Sequence, residues 1–146
     1  MTKPNFNFYI INTPELFQRL VSYSEKVDSD LFVFDVETNS KIEKLAQLYG
    51  CGLCFNEHKA FYVVWRDQQG NKVWTDSQEV EIKAWIDNQA KGRKLVGHNI
   101  IYDVLVMENE EVYLADHIYS DTILQKHTLD EEPPFGLKEN AVSYGS

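Results

Sequence analysis

The sequence predicts an α/β layer fold built on a mixed sheet, and three observations carry that reading. Apolar, β-branched and aromatic runs, "LFVFDVE", "LYGCGLCFN" and "KAFYVVWR", follow one another, the last two joined by the short polar turn "EHK", as in an antiparallel meander. After them helical and strand patterns alternate, which asks for parallel strands linked by helices. At 146 residues with 43% hydrophobic and 13% aromatic side chains, the chain is long enough to bury one core.

Each element has its own signal. "NFYII" is a short strand. "NTPELFQRLVSYSEKV" is a helix with Thr13 as N-cap, Pro14 at its first position, and Leu16, Leu20 and Tyr23 at helical spacing. Leu31 to Phe34 are apolar in succession, as in a strand covered on both faces. The meander follows, and after the Gly70-Asn71 turn "KVW" is expected to pair as well. "DSQEVEIKAWIDNQAKG" has Val80, Ala84 and Trp85 on one side and Gly92 as its stop, a helix of about four turns. "KLVGHN" is a buried strand that can return parallel to the first by a crossover. "IIYDVLVMENEE" is a helix, "DHIYSDT" contains a strand, "TILQKHTL" is another helix, and a loop with two prolines leads to the opening of one more. No repeat, linker or low-complexity tract divides the chain, so a single domain over 1–146 is expected.

Composition narrows the function. A formal charge of −9, from 14 Lys plus Arg against 23 Asp plus Glu, argues against holding duplex nucleic acid mainly by neutralising phosphates. An acidic protein still binds nucleic acid where divalent cations mediate the contact. The opening "MTKPNFNFYIINTPELF" lacks a cationic segment followed by an apolar one, and no apolar run approaches the roughly 18 residues needed to span a bilayer. A cytoplasmic location with no membrane partner is the expectation. Cys51 and Cys54 form a C-x-x-C pair, but strand positions three apart point to opposite faces, so they read as two reduced cysteines of the sheet.

The acids are more informative. Asp35 and Glu37, two apart on a strand, emerge on the same face at its carboxyl end, where ligands of open α/β sheets usually bind. Two carboxylates this close repel, and a hard divalent cation, Mg²⁺ or Mn²⁺, is the usual remedy. Asp103 lies inside an apolar helix, with Asn99 four residues before it on the same face and suited to cap that helix. If "KLVG" neighbours the first strand, Asp103 faces Asp35 and Glu37. Each signal alone has an ordinary reading: a surface-facing strand end for the D-x-E, a solvent-facing helix acid for Asp103. Asp121 reads as the N-cap of the "TILQKHTL" helix, and Asp116 and Asp130 as loop acids.

Taken in order, "FVFDVETNS", "KLVGHNIIYDVLVM" and "SDTILQKHTLDEEPPFGLKENAVSYG" resemble the 3′→5′ exonuclease (proofreading) domain of family A DNA polymerases, within the DEDD exonuclease superfamily of ribonuclease H-like fold. The first looks like the family's D-x-E motif (Asp35, Glu37) and the second like its N-x-x-[FY]-D motif (Asn99, Tyr102, Asp103). The third is similar to its "DT…L…GLK" passage (Asp121, Thr122, Gly136, Leu137, Lys138). The resemblance implies helices on both faces of the sheet and two-metal hydrolysis at the 3′ end of single-stranded DNA, releasing nucleoside monophosphates. Two Mg²⁺ or Mn²⁺ ions about 4 Å apart would activate water and stabilise the leaving oxygen. Asp35, Glu37 and Asp103 would be the metal ligands and catalytic acids, and Thr38, Asn39, Asn99 and Tyr102 would contact substrate. His98 would be a neighbour of the site, and Phe135 a further stacking candidate.

The chain departs from the family pattern at one point. The fourth carboxylate belongs to a further Y-x-x-x-D or H-x-x-x-x-D motif, and Tyr144 has only two residues after it. The expectation is therefore a domain truncated at its C-terminal end, part of a DNA polymerase I-like protein whose polymerase domain would be its partner. A catalytically incomplete nucleic-acid-binding or scaffolding module, and a ribonuclease D-like RNA exonuclease, are the alternatives.

Overall fold

Local chemistry sets where the helices begin. Thr13 Oγ1 accepts the Leu16 N–H at 3.2 Å ahead of Pro14 at the first helical position, giving α1 (Pro14–Lys26). Thr75 and Gln78 form a reciprocal capping box, with Gln78 N–H on Thr75 Oγ1 at 3.3 Å and Thr75 N–H on Gln78 Oε1 at 2.9 Å, ahead of α2 (Asp76–Gly92). The computed structural model describes residues 7–39 and 45–121. Among these, the strands are β1 (Asn7–Ile11), β2 (Leu31–Thr38), β3 (Leu48–Cys54), β4 (Lys59–Val64), β5 (Lys94–Gly97) and β6 (Ile118–Asp121). The third helix is α3 (Ile100–Asn109), and a short 3₁₀ turn at Ala115–His117 leads into β6.

The six strands form one sheet in the order β1-β4-β3-β2-β5-β6. β2, β3 and β4 are the antiparallel meander, and β5 and β6 continue the sheet in parallel. β1 pairs parallel with β4, which makes β1 the edge strand farthest from β6. This is the α/β mixed sheet expected from the sequence.

The core lies on one face of the sheet. Phe17 of α1 and Trp85 of α2 meet edge-on at 5.7 Å, Trp85 stands edge-on to Phe32 of β2 at 6.2 Å, and Phe32 stacks with Phe34 at 5.7 Å. Such aromatic pairs contribute about 0.5–1.5 kcal/mol each beyond their burial. The ion pair between Lys83 of α2 and Glu110, just past α3, at 3.5 Å, sets α3 beside α2. Further helices, "TILQKHTL" and the one after it, fall on residues outside those described. No helix among the described residues is long and apolar enough to cross a membrane.

Several local expectations change. Val80 is 67% exposed and Ala84 is exposed too, because the stripe that α2 buries is Ile82, Trp85, Ile86 and Ala90. The helix ends at Gly92 into an extended Arg93, without a left-handed glycine. "KVW" contributes only a single Arg66–Lys72 bridge, since the Asp67–Asn71 turn leaves too few residues to propagate a ladder. β2 is not evenly covered: Phe32, Phe34 and Val36 are buried, while Val33 and Asp35 on the opposite face are half-buried. Cys51 and Cys54 are both buried in β3 and form no disulfide, as expected of reduced sheet cysteines.

Candidate active site

β2 outruns its neighbour. Its pairing with β5 ends at Val33↔Val96, while its pairing with β3 continues to Thr38. Beyond Val33, therefore, one edge of β2 has no strand beside it among the described residues. A Cβ at Gly97 would lie 2.8 Å from the Phe34 carbonyl oxygen and 2.7 Å from Ile100 Cδ1, so glycine permits this close turn from β5 into α3. The same contact shows that the Phe34 backbone points toward β5. Val36, two residues on, points the same way, toward the strand-free edge.

Asp103 of α3 comes to that edge. It belongs to the buried stripe of α3, Ile100, Asp103, Val104 and Met107, at spacings of three and four. The Val36 backbone amide lies close enough to favour the charged form of both the Asp103 and the Asp35 carboxylate. Asp103 is only 2% exposed, and its Oδ2 is buried with no hydrogen-bond partner among the described residues.

The charges act on one another. Burial first, and then the Asp35 charge, push the Asp103 carboxyl up to about 9; Asp121 and Glu37 add to the rise, and the Val36 amide opposes it. Asp35 is raised to about 6 by burial and by Glu37, again against the Val36 amide. Burial raises Glu37 as well. Asp35, Glu37 and Asp103 thus repel one another at the open end of β2.

The residues expected to touch substrate fare differently. The Thr38 and Tyr102 hydroxyls lie 2.7 Å apart, tying the end of β2 to α3. Asn39 is engaged with Gln47: its Oδ1 accepts the Gln47 N–H at 2.7 Å and its Nδ2 donates to Gln47 Oε1 at 3.4 Å. Asn99 occupies the N-cap position of α3 but makes no side-chain cap bond. Its backbone is left-handed, φ 60°, a geometry Asn tolerates but not the extended one that lets an N-cap side chain reach the first-turn amides. The cap comes instead from Asp121 on β6, which accepts the Asn99 N–H at 3.1 Å and the Ile100 N–H at 3.2 Å. Asp121 was expected to cap the helix that follows it; that helix, Thr122, Asp130, Phe135 and the Gly136-Leu137-Lys138 passage lie outside the described residues. Asn99 and His98 are exposed beside the cluster, and Asp116 is exposed in the 3₁₀ turn.

Two neighbours of the site were not foreseen. Cross-strand register aligns Asp35 with Gly52 and Tyr62, and Glu37 with Gly50. The Tyr62 hydroxyl lies where a Gly50 side chain would start, 2.1 Å from the position of its Cβ. Burial, then the charge of Glu37, raise the Tyr62 phenol to about 12, with Cys51 and Asp35 contributing. The G-x-G of "YGCGLC" was the available signal, because glycine inside a strand marks close approach of another group. A register shift between Glu37 and Thr38 leaves Tyr49 as an extra residue, a bulge of the kind that collects near active sites.

Among the described residues no set of three or more His, Cys, Asp and Glu side chains stands ready-made to hold a metal ion. The donor chemistry of the cluster nevertheless fits a hard cation. It consists of carboxylate oxygens, one of them buried without a partner, whose charges raise one another's proton affinity. Asp35, Glu37 and Asp103 are the residues that would hold it.

No protein-family model matches the chain, and no curated protein matches it by sequence. Solved structures do match. The Aedes aegypti Nibbler EXO domain is similar at a TM-score of 0.55 and 8% identity, over 86% of this chain and 57% of that one. Trypanosoma brucei RNase D, in its complex with GMP, is similar at 0.52 and 12% identity, over 75% and 31% of the respective chains. Escherichia coli RNase D, described as an exoribonuclease involved in structured RNA processing, is similar at 0.50 and 20% identity, over 71% of this chain and 24% of its own. The chain thus spans little more than half of the first and between a quarter and a third of the other two. At these identities the likeness is one of fold: the chain has the ribonuclease H-like fold of these structures.

Proposed function

We propose that the chain is the nuclease domain of a metal-dependent 3′→5′ exonuclease that trims single-stranded RNA and releases nucleoside monophosphates. The observation that carries this reading is the meeting of Asp35, Glu37 and Asp103 at the strand-free end of β2, with one Asp103 oxygen buried and unpartnered. Bound Mg²⁺ or Mn²⁺ would supply a Lewis acid and an activated water. The chain's own residues hold the ions through the three carboxylates and keep α3 in register through the Asp121 cap. Asn99, exposed at the start of α3, would contact the terminal nucleotide. Asn39, bound to Gln47, supports the loop rather than the substrate. Asp121, committed to the α3 amides, is not proposed as the fourth acid.

RNA is chosen over DNA because two of the three structures compared above are RNase D proteins. A DNA 3′ end, and with it a proofreading role beside a polymerase domain, rests on the sequence motifs alone and is the second reading. In either case the chain is proposed to work within a longer protein, in keeping with the share of its structural neighbours that it spans. The test is a 5′-labelled RNA and a matched DNA strand incubated with Mn²⁺. A ladder of 3′-shortened RNA products with mononucleotide release is expected, and Asp35→Ala should abolish it. Mn²⁺ binding without cleavage of either strand would replace the enzyme with a nucleic-acid-binding module.

A further inference from the structure

The other end of the sheet carries a groove unrelated to the carboxylates. Among the described residues edge strand β1 pairs only with β4, and Phe8, Tyr9 and Ile10 are 48%, 40% and 45% exposed. Edges this apolar are normally blunted, so a run of three calls for an explanation. A cavity of about 340 Å³ follows β1 and α1, within the size range of small-molecule sites. Its aromatic wall is continuous: Tyr9 stacks on Phe61 at 5.4 Å and Tyr23 meets Phe61 at 5.3 Å.

The groove is also cationic, in a chain of net charge −9. Lys59 Nζ lies 4.7 Å from the Tyr23 ring centroid and 5.9 Å from that of Tyr9. Arg19 lines the same groove and is exposed. Neither cation forms an ion pair among the described residues. Aromatic faces beside unpaired cations are the ingredients of single-strand nucleic-acid binding, the rings taking bases and the cations phosphates. Asp35, Gly52, Tyr62 and Ile10 stand in a cross-strand row on one face of the sheet, and Phe34, Leu53, Phe61 and Tyr9 in a row on the other, so a strand held at both sites passes over the β1 edge. Three strand spacings, about 14 Å, separate the carboxylates from β1.

We propose that the β1 edge groove is a second contact for the single-stranded nucleic acid, holding a base against Tyr9 and the flanking phosphates on Arg19 and Lys59. The identity of the ligand rests on the nuclease reading above; the groove itself does not. A second copy of the chain pairing through β1 is disfavoured, because it would bring Arg19 and Lys59 of both copies together.

The groove uses protein cations rather than metal, so its binding should survive EDTA. Fluorescence anisotropy of a labelled twelve-residue oligouridylate in EDTA should show binding that weakens with salt, with a log–log slope of about −1.4 for two phosphates. Arg19→Glu with Lys59→Glu should weaken it at least roughly tenfold and Tyr9→Ala about fivefold, with Mn²⁺-dependent trimming of a dinucleotide unchanged. Should the double variant fold poorly, Arg19→Glu alone, at an exposed position, carries the test. The proposal is overturned by absence of binding in EDTA, by binding indifferent to these substitutions, or by an oligoglutamate of equal charge competing as well as the oligonucleotide. Loss of the nuclease reading would appear separately, as no trimming in Mn²⁺ with EDTA-resistant binding intact.

Discussion

The Asp121 carboxylate accepts the Ile100 backbone N–H at 3.2 Å, so α3 is started by the strand that follows it in sequence. With the Asn99 N–H taken as well, a single side chain from β6 satisfies two of the donors that a helix leaves open. Replacing it by Ala should cost about 1–2 kcal/mol, the range of a lost N-cap, and Asn should cost less because it retains an acceptor. Urea unfolding of the two variants is the measurement; equal stability of Asp121→Ala and the parent would mean that α3 does not depend on this cap.

The raised acids make stability fall with pH in the absence of divalent ions. The unfolded chain releases these protons near pH 4, but the folded chain keeps them until about 6 at Asp35 and about 9 at Asp103. Between those values the folded state binds more protons, so the contribution is complete below about pH 4 and is lost as pH rises through the folded values. In EDTA, Tm should drop from pH 5 to pH 9.

Asp103→Asn removes that charge while keeping the shape. The variant should match the parent only near pH 4 and exceed it increasingly above that, by at least about 2 kcal/mol at pH 8, a few degrees of Tm. A variant less stable than the parent at pH 8 would assign Asp103 to the scaffold.

Asp35→Ala should relieve repulsion within the cluster and leave the melting temperature unchanged or higher, while abolishing both Mn²⁺ binding and cleavage. Calorimetric titration with Mn²⁺ separates the two effects. A variant that melts well below the parent would give Asp35 a structural role instead.

Gly50→Ala should be destabilising by about 1–3 kcal/mol, because its Cβ and the Tyr62 hydroxyl claim the same space. Tyr62→Phe in the Gly50→Ala background should recover part of that loss. Thermal unfolding of the single and double variants measures the coupling; strict additivity would deny the contact.

Tyr102→Phe and Thr38→Val each remove one side of the 2.7 Å hydroxyl pair and should cost about 1 kcal/mol. The double variant should cost less than the sum of the two. A cycle with no coupling would show that the end of β2 and α3 are held together by packing alone.

Much of the architecture was legible because its signals are local. Alternating and continuous apolar runs named all six described strands, and Thr13-Pro14 marked the start of α1. The stripe of α2 was misread at Val80 and Ala84, since spacing alone does not say which side of a helix meets Trp85's neighbours. Asn99 was misread as a cap because an Asn before an apolar helix is an ordinary cap signal, and nothing nearby in sequence announces a competing carboxylate 22 residues away.

The sequence by itself determined the acids, their order along the chain and the strand and helix that carry them, since these follow from side-chain period and residue chemistry over a few positions. Only the tertiary structure decided that β5 stops short of the end of β2, that Asp103 reaches the Val36 amide there, and that Tyr62 lies over Gly50. Strand length mismatch and register depend on how separate segments pair, and no single segment encodes its partner.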